Sequence, residues 1–575
     1  MRYSNYMNNY FICFHRLPLW SWECINEKCV PIKTAQTSKI QSLETCNMLC
    51  ASMQIWPHPT GTVSLSTTAV PVRADLFQLH TLTTPSKAVQ EHLEEAFRLF
   101  HDDLTKIERQ SRGFEEWRSV ALRIVVNGSE DPRMRLNTDE SYSLAVQPVV
   151  GTNLVIMADI MASSFCGARH ALETLLQLIW LDTNLGSLLM LEAARIDDAP
   201  RFKYRGILVD TARDFFSVEE LMQNVDAMAI SKLNTLHWHM SDSQAFPLHL
   251  HTVPQLAHYG AHSFDYVYTA DEVKEVVRRA RLRGIRVLIE IDSPAHIGYG
   301  WSFGELANFG ELAYCLDAEP WEKYCVEPPC GHLNPRNKNV YKLLARIYLE
   351  IVQITGVDDI FHLGGDEISK RCYREQFPDT DPSDLWIQYT ALLLDNLVSN
   401  TLKGKMPNFT IFWASSITER FKTDLQKYVK NIGIQLRHID SDYKQMYNGR
   451  TIISHDAAWN LNTGHGEWFQ ESGSPYNSWQ HVYEYRPWVK QSLGNVEGGE
   501  ATVWSADVGQ GNLIPRIWPR AAALAERLWT DRAEGATSPV HARLDVHRSR
   551  MIARGIEASP LWSMWCTQNT FTCKT

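Results

Sequence analysis

The sequence predicts an α/β protein whose main domain is a (β/α)8 TIM barrel, preceded by a small α+β domain. Short β-rich runs alternate with helical stretches from residue 204 to about residue 529, a length that suits one such barrel. Polar residues stand at or just after the ends of several runs, where barrel enzymes carry their catalytic groups. The eight runs cover residues 206–209, 235–239, 287–291, 360–363, 411–413, 432–436, 452–454 and 502–504.

The chain of 575 residues is long for one domain, and its pattern changes twice. We expect a Cys-rich N-terminal stub over residues 1–55, the α+β domain over residues 56–199, and the barrel with a C-terminal tail over residues 200–575. The net charge of −10 argues against a protein that binds nucleic acid.

The N-terminal end of the stub shows no secretory signal, because its apolar stretch at residues 10–14 is too short for a signal-peptide core or a membrane span. We therefore expect a truncated start, and any membrane association would come from a missing N-terminal segment. The cysteines indicate the secretory pathway nevertheless, with an extracellular, lysosomal or plasma-membrane location left open.

Those cysteines are grouped in loops and tails, which is typical of disulfide bonds formed in an oxidising compartment. Zinc is the alternative, but the sequence holds no C-x2-C pair. Two glycosylation acceptors, Asn127 and Asn408, agree with secretion. The candidate disulfide cysteines are Cys24, Cys29, Cys46, Cys50, Cys315, Cys325, Cys330, Cys372, Cys566 and Cys573.

Within the α+β domain, apolar spacing predicts helices over residues 86–112 and 168–180 and strands over residues 120–126 and 143–151. We expect this domain to be a structural platform packed against the barrel. An Ala-rich helix over residues 521–529 is expected to close the barrel.

Asp366 and Glu367 are the most informative residues of the barrel, since they follow two glycines at the end of the fourth run. A nearby carboxylate raises the proton affinity of its neighbour, and glycines allow a sharp turn and the close approach of a ligand. This pattern predicts glycoside hydrolysis with Glu367 as the acid. The alternative is a strand end followed by a helix N-cap with acidic residues in its first turn.

Four stretches point to one family. They read DTAR at residues 210–213, HWHMSDSQAFP at 237–247, DSPAH at 292–296 and HLGGDE at 362–367. Together, in this order and spacing, they resemble glycoside hydrolase family 20, the β-N-acetylhexosaminidases, over about residues 55–560. The Cys-rich stub and the CVEPPC loop at 325–330 are most similar to the arthropod branch, which includes chitin-degrading and N-glycan-trimming enzymes.

The resemblance implies exo-acting, retaining hydrolysis of terminal non-reducing β-linked N-acetylglucosamine or N-acetylgalactosamine, with no cofactor. The acetamido oxygen of the substrate attacks the anomeric carbon, so no protein nucleophile is needed. Glu367 would protonate the leaving oxygen and then activate water, and Asp366 would orient the acetamido group. The residues implied to contact or support the substrate are Arg213, Asp242, His296, Val326, Glu327, Trp413, Asn460, Asn462, Trp479 and Trp504.

Plainer roles remain open for several of these residues. An Arg near an Asp often forms only a structural ion pair, and most of the Trp residues could equally belong to the hydrophobic core. His237 and His239 alternate on one strand and can face the same side. Because no third ligand is evident, we expect a structural role for these two histidines and no metal site.

The chain departs from the family where the sugar is usually held. It carries Asn460 in place of Tyr, Asn462 in place of Asp, and Arg437 in place of a pocket Trp. Ala506 replaces a Glu, and the adjacent Asp507 is expected to point elsewhere because neighbours alternate on a strand. Thr463 stands in place of a cysteine.

Two hypotheses therefore remain. Asp366, Glu367 and the residues implied to support them are retained, which predicts an active hydrolase acting on N-glycans or chitooligosaccharides. The altered positions instead favour a glycan-binding relative with little or no turnover. A homodimer is common in the family, and the sequence leaves the oligomeric state open. If burial and Asp366 raise the pKa of Glu367, activity should show a bell-shaped profile with an acidic optimum.

Overall fold

The structure, a computed structural model, describes residues 20–36, 40–50, 53–108, 116–152, 154–439, 449–464, 475–490, 495–569 and 572–573. The apolar stretch at residues 10–14 lies outside this part of the chain. Across the described residues, no helix combines the length and apolar character needed to cross a bilayer.

Eight parallel strands form the barrel, which confirms the expected fold class. Strand one pairs with strands two and eight, and the ladder runs in the order three, two, one, eight, seven, six, five, four. Every run expected from the sequence overlaps one of them. In chain order the strands are Tyr204–Asp210, Thr235–Ser241, Arg286–Ile291, Ile360–His362, Phe409–Trp413, Ile432–Leu436, Arg450–Ile453 and Asn495–Val503.

The hydrogen-bonded ladder is open between strands three and four. The chain bridges this seam just beyond the strand ends, where the Gly365 amide donates to Asp292 Oδ1 at 3.0 Å. The seam therefore brings the residues that follow strand three against those that follow strand four, and it positions the predicted acid pair.

Helices cover the outside of the barrel, so its strands are buried on both faces. The helices after strands one and two each begin in a capping box, formed by Ser217 with Glu220 and by Thr269 with Glu272. The main helices of the barrel are Val218–Ile230, Ala270–Leu282, Lys338–Thr355, Pro382–Asn396, Phe421–Asp424, Asp456–Trp459, Trp479–Glu484 and Arg520–Thr530, the last of which is the expected closing helix.

Shorter strands and helices lie in the connections between the main elements of the barrel and in the C-terminal tail. A two-stranded pair, Ala313–Tyr314 with His332–Leu333, lies in the excursion after strand three. Among the described residues, the remaining α-helices of the barrel and tail are Gln255–Gly260, Lys370–Gln376, Pro487–Lys490, Leu513–Ile517, Ser538–Ala553 and Met564–Gln568.

The α+β domain is an eight-stranded mixed sheet with two helices, Lys87–Ile107 and Phe165–Gln177. Both helices and both strands expected from the sequence are present at shifted ends. In sheet order the strands are Val63–Leu65, Ala194–Asp198, Tyr142–Pro148, Val155–Ala162, Arg118–Val126, Ala69–Thr83, Ser187–Leu191 and Ile179–Asp182.

Buried ion pairs join the α+β domain to the barrel. Glu140 accepts two hydrogen bonds from the Arg205 guanidinium at 2.6 and 2.9 Å. Lys232 Nζ lies 3.0 Å from Asp198 Oδ2, with both side chains fully buried. A buried charge without a partner is costly, so these pairs fix the two parts of the molecule in one arrangement.

The stub is a hairpin, Trp20–Ile25 with Lys28–Lys33, followed by the helix Leu43–Leu49. All ten candidate cysteines form disulfides, and Cys166 is buried as a free thiol. Asn127 and Asn408 are exposed, as glycosylation requires. The disulfides are Cys24–Cys50, Cys29–Cys46, Cys315–Cys372, Cys325–Cys330 and Cys566–Cys573.

Candidate active site

A cavity of about 330 Å³ opens at the carboxyl ends of the barrel strands. It brings together every residue predicted to act in catalysis or substrate binding except Trp479. These lining residues are Arg213, Asp242, His296, Val326, Glu327, Asp366, Glu367, Trp413, Asn460, Asn462 and Trp504.

Trp479 lies away from this cavity, contrary to the role near the leaving sugar that the resemblance implies. Ser478 caps the helix Trp479–Glu484, which makes Trp479 its first residue. The indole is buried and meets the His541 ring edge-on at a centroid distance of 4.9 Å. Packing against the helix Ser538–Ala553 therefore fixes this side chain in the core.

The turn after strand four presents the acid pair. Gly364 and Gly365 have φ values of +66° and +94°, and Glu367 itself has φ +55°. A Cβ at Gly364 would overlap the Asp292 carboxylate, so this position requires glycine. A non-glycine residue in the left-handed region costs free energy, about 1–3 kcal/mol, and such strain is concentrated at functional sites.

A chain of charged contacts supports Glu367 from the side of strands one to three. His296 Nε2 lies 3.2 Å from Glu367 Oε2, and His296 Nδ1 lies 3.2 Å from Asp242 Oδ1. Asp242 Oδ2 in turn lies 2.8 Å from Arg213 Nη1. Burial opposes protonation of His296, but Asp242 and Glu367 outweigh it and raise the pKa of His296 well above its usual value.

Arg437, directly after strand six, approaches the acid pair from the opposite side. Its Nη1 lies 3.1 Å from Glu367 Oε1 and 3.4 Å from Asp366 Oδ2. Its Nε lies 3.3 Å from Asp456 Oδ2. Arg437 is one of the residues that depart from the family pattern, and the fold places its charge against both acids.

These cations reverse the expected proton affinities of the pair. Burial and the charge of Glu367 raise the pKa of Asp366 to about 6. Burial also acts to raise the pKa of Glu367, but the His296 hydrogen bond and the charges of His296, Arg437 and Arg213 lower it to about 2. The expectation that Glu367 carries the raised pKa is therefore wrong for the ligand-free cavity, where Asp366 is the member of the pair that binds a proton first as the pH falls.

Below the cavity, a second charged network fills the floor of the barrel. His239 lies 2.8 Å from Glu290 Oε2 and 3.1 Å from Asp242 Oδ2. His237 lies 2.9 Å from a carboxylate oxygen of Glu290 and 2.9 Å from one of Glu500. Glu290 also accepts a hydrogen bond from the Trp413 indole at 2.9 Å, which fixes that cavity wall.

The floor network includes a possible metal-ligand set of His237, Glu290 and His362, although the sequence suggested no third ligand. Burial opposes protonation of His237 and His239, but the surrounding carboxylates raise their pKa values to about 9 and about 10. The ion pairs with Glu290 and Glu500 hold both imidazoles in place, and the structural role without a metal stays a prediction.

Glu290 was missed by sequence reasoning although a signal was present. It is a fully buried acid within the apolar run of strand three, where a charged residue is unusual without a partner. Asp292 follows two residues later, and residues two apart on a strand share a face, so both acids face the barrel interior.

The positions that depart from the family line the opposite wall. Asn460 Oδ1 accepts the Asn462 amide at 3.2 Å, and Asn462 Oδ1 accepts the Trp504 amide at 3.1 Å. Ala506 and Asp507 both line the cavity, so the expectation that Asp507 points elsewhere is wrong. Strand eight ends at Val503 and continues as a 3₁₀ turn, where the alternation of a strand no longer applies.

The loop closed by Cys325–Cys330 borders the open side of the cavity. Val326 is more than half exposed, at 56%. Glu327 Oε2 lies 3.5 Å from Arg213 Nη2. This loop therefore connects the Arg213 guanidinium with the mouth of the cavity.

Comparison with known protein families gives two matches. Residues 202–532 match a model described as glycosyl hydrolase family 20, catalytic domain. Residues 55–178 match a model described as β-acetyl hexosaminidase like. Between them the two matches cover the barrel and most of the α+β domain, except for residues 179–201.

Two insect proteins resemble this chain over most of their length. The probable β-hexosaminidase fdl of Drosophila melanogaster is 35% identical, over 96% of this chain and 91% of its own. The chitooligosaccharidolytic β-N-acetylglucosaminidase of Ostrinia furnacalis is 36% identical, over 96% of both chains. The crystal structure of the GH20 exo β-N-acetylglucosaminidase of Vibrio harveyi has the same fold, with a TM-score of 0.66 at 21% identity over 89% of this chain and 80% of its own.

Proposed function

This chain belongs to glycosyl hydrolase family 20 and is a β-N-acetylhexosaminidase, and from that premise we propose how its cavity performs exo-acting hydrolysis. Glu367 is the general acid and base, and Asp366 orients the acetamido group of the terminal sugar. The observation that carries this assignment is the contact of His296 with Glu367 at 3.2 Å, continued to Asp242 and Arg213. A buried chain of alternating charges of this kind positions one carboxyl group against a bound substrate.

The reaction proceeds in two steps. The acetamido oxygen of the substrate attacks the anomeric carbon while the bond to the leaving oxygen breaks, and that oxygen takes a proton from Glu367. The oxazolinium-like intermediate then opens when water attacks the anomeric carbon and gives its proton back to Glu367. Asp366 accepts the acetamido N–H and stabilises the positive charge of the intermediate.

The proton of the acid pair must lie on Glu367 before the first step. In the ligand-free cavity burial and the charge of Glu367 raise the pKa of Asp366 to about 6, so below that pH the pair holds its proton on Asp366. An acetamido N–H donated to Asp366 favours the ionised form of Asp366. Below about pH 6, where Asp366 holds a proton, substrate binding thus favours transfer of that proton to Glu367.

Aromatic walls hold the sugar. The rings of Trp413 and Trp504 lie 5.8 Å apart at an angle of 48°, and they offer apolar faces to the sugar ring and the acetamido methyl group. Arg213 presents its guanidinium from the strand-one side and binds sugar hydroxyls.

The substrates we propose are chitooligosaccharides with a terminal β-linked N-acetylglucosamine. Two relatives are named chitooligosaccharidolytic β-N-acetylglucosaminidases, those of Ostrinia furnacalis and Bombyx mori, at 36% and 34% identity. The Cys325–Cys330 loop supports the proposal, since Val326 and Glu327 wall the side on which the leaving sugar would lie. The disulfides fit an oxidising compartment, and we place the enzyme in the secretory pathway or outside the cell.

The test is hydrolysis of a chromogenic β-N-acetylglucosaminide by purified protein, beside chitotriose and an N-glycan with terminal N-acetylglucosamine. We expect Glu367→Gln to lower kcat at least about a hundredfold, because it removes general acid catalysis. Turnover of the N-glycan alone would overturn the substrate proposal. Equal turnover by Glu367→Gln and wild type, with both shown folded by circular dichroism, would overturn the assignment of Glu367.

A glycan-binding protein without turnover is not favoured. Family membership and the retained charged contacts around Glu367 both point to hydrolysis. Binding of N-acetylglucosamine by wild-type protein without release of the chromophore would be the result expected of the binding protein.

A further inference from the structure

We propose that Arg437 is a counterion of the acid pair that the substrate displaces on binding, and that Arg437 thereby restrains turnover near neutral pH. The proposal rests on the proposed function, because it assumes that Glu367 is the acid. It concerns a residue that departs from the family and that the mechanism above does not use.

The two oxygens of Glu367 are both occupied in the ligand-free cavity. Oε2 lies 3.2 Å from His296 Nε2, and Oε1 lies 3.1 Å from Arg437 Nη1. His296 is held in place by Asp242, so Oε1 is the oxygen left to carry a proton to the leaving group. The guanidinium of Arg437 stands where that proton and the leaving oxygen must meet.

Arg437 also blocks the partner acid. The same Nη1 atom lies 3.4 Å from Asp366 Oδ2, the group that would receive the acetamido N–H. One cation therefore bridges both carboxylates, and a sugar that contacts both must separate Arg437 from them.

Asp456 can keep Arg437 paired after its guanidinium moves away from Asp366 and Glu367. Its Nε is bound to Asp456 on the far side, at 3.3 Å. Its side chain keeps 30% exposure and lies over the Trp504 ring at 5.6 Å. A small rotation about the Asp456 contact can withdraw Nη1 without leaving the charge unpaired, which would be costly.

The effect on pH follows from the charges that surround the pair. An opposite charge within about 4 Å lowers the pKa of a carboxyl by about 1–3 units. Removing Arg437 therefore raises the proton affinity of Glu367 while the other groups stay. The charged or titratable groups that face the pair from the surrounding elements are Arg213, His239, Asp242, Glu290, Asp292, His296, Glu327, Asp456 and Asp507.

The experiment compares Arg437→Gln and Arg437→Lys with wild type across pH 4–9, using the chromogenic substrate. The profile of kcat/KM reports the free enzyme, where Arg437 is in contact with the pair. We expect Arg437→Gln to move the basic limb upward by about one pH unit or more, which raises kcat/KM on that limb about tenfold or more. Arg437→Lys keeps a cation and should keep most of the wild-type limb.

A matched control is Arg420→Gln, which removes an exposed arginine that pairs with Asp384 and Asp424 outside the cavity. It should leave the profile unchanged. A basic limb in Arg437→Gln that coincides with wild type would overturn the proposal, as would a higher KM with no movement of the limb. The latter result would make Arg437 a direct sugar contact.

A second readout separates this proposal from the proposed function. Binding of N-acetylglucosamine is measured by calorimetry at pH 5 and pH 7.5 in wild type, Arg437→Gln and Glu367→Gln. Tighter binding by Arg437→Gln supports displacement, and unchanged affinity at both pH values contradicts it. Failure of the proposed function appears elsewhere, as turnover that survives Glu367→Gln.

Discussion

Glu367 shows how much the chemistry of one side chain depends on its contacts. The sequence places it beside another acid, and that neighbour alone would raise its proton affinity. The fold adds His296 from strand three and Arg437 from strand six, which lower it instead. The acid pair was predictable because its two members are adjacent in sequence, whereas the cations come from positions about 70 residues away on either side.

Asp242 is the residue whose removal tests the chain of contacts behind the acid. We expect Asp242→Asn to lower kcat about tenfold to a hundredfold, because His296 loses the carboxylate that keeps it protonated and in place. The loss of the His296 charge should also move the basic limb of the kcat profile upward. Steady-state kinetics across pH 4–9 provide the measurement.

Glu327→Gln is the comparison for Asp242→Asn, since it also removes a carboxylate from Arg213 but does not touch His296. Its effect should fall on KM, with the pH limb in place. If both variants change KM alone, His296 does not depend on Asp242 and the chain of contacts has no role in proton transfer.

At the scale of elements, the strand ends decide which side chains reach the cavity. The alternation of eight runs was visible in the sequence, and so was the cluster of polar residues at their ends. Where a strand stops was less visible, because tertiary hydrogen bonds set it. Strand eight ends before Trp504, so Asp507 reaches the cavity, and a helix begins at Trp479, so its indole enters the core.

The turn after strand four offers the sharpest test at this scale. We expect Gly364→Ala to lower stability by about 1–3 kcal/mol and to reduce kcat, because the new Cβ would overlap the Asp292 carboxylate and the residue must keep φ at +66°. The shift of the turn would move Asp366 and Glu367 away from His296. Thermal unfolding and kcat are measured together.

Gly404→Ala separates these two causes. Gly404 has φ +85° and open space around it, so it shares the backbone cost without the overlap. We expect a similar or smaller loss of stability and an unchanged kcat. Wild-type kcat in Gly364→Ala would show that the acid pair tolerates a shift of its turn.

The whole molecule is held together by buried charge as well as by apolar packing. The two largest hydrophobic clusters of the described residues lie in the sheet domain and in the barrel, and ion pairs such as Glu140 with Arg205 and Asp198 with Lys232 join these two parts. We propose residues 56–199 and 200–575 as the limits of the two domains. The sequence pattern predicted an α+β domain packed against a barrel, but the partners of these charges lie far apart in sequence and no local pattern pairs them.

Glu140 is the place to test that interface. Burial opposes its ionisation, but Arg205 and the His170 hydrogen bond lower its pKa to about 2. We expect Glu140→Gln to lower the stability of the chain by about 3–5 kcal/mol at pH 7, because the Arg205 guanidinium stays buried without its counterion. Urea denaturation followed by tryptophan fluorescence measures the loss.

The loss of stability in Glu140→Gln should depend on pH. Folding lowers the pKa of Glu140 from 4.5 to about 2, so its ionised carboxylate stabilises the folded protein fully at pH values above about 4.5. This contribution is lost as the pH falls through about 2. The difference between wild type and Glu140→Gln should therefore shrink from pH 4.5 towards pH 2. The paired change Glu140→Leu with Arg205→Met removes both charges and should recover most of the stability. If the double variant is no more stable than Glu140→Gln, the cost comes from lost packing, and the interface does not depend on pairing its charges.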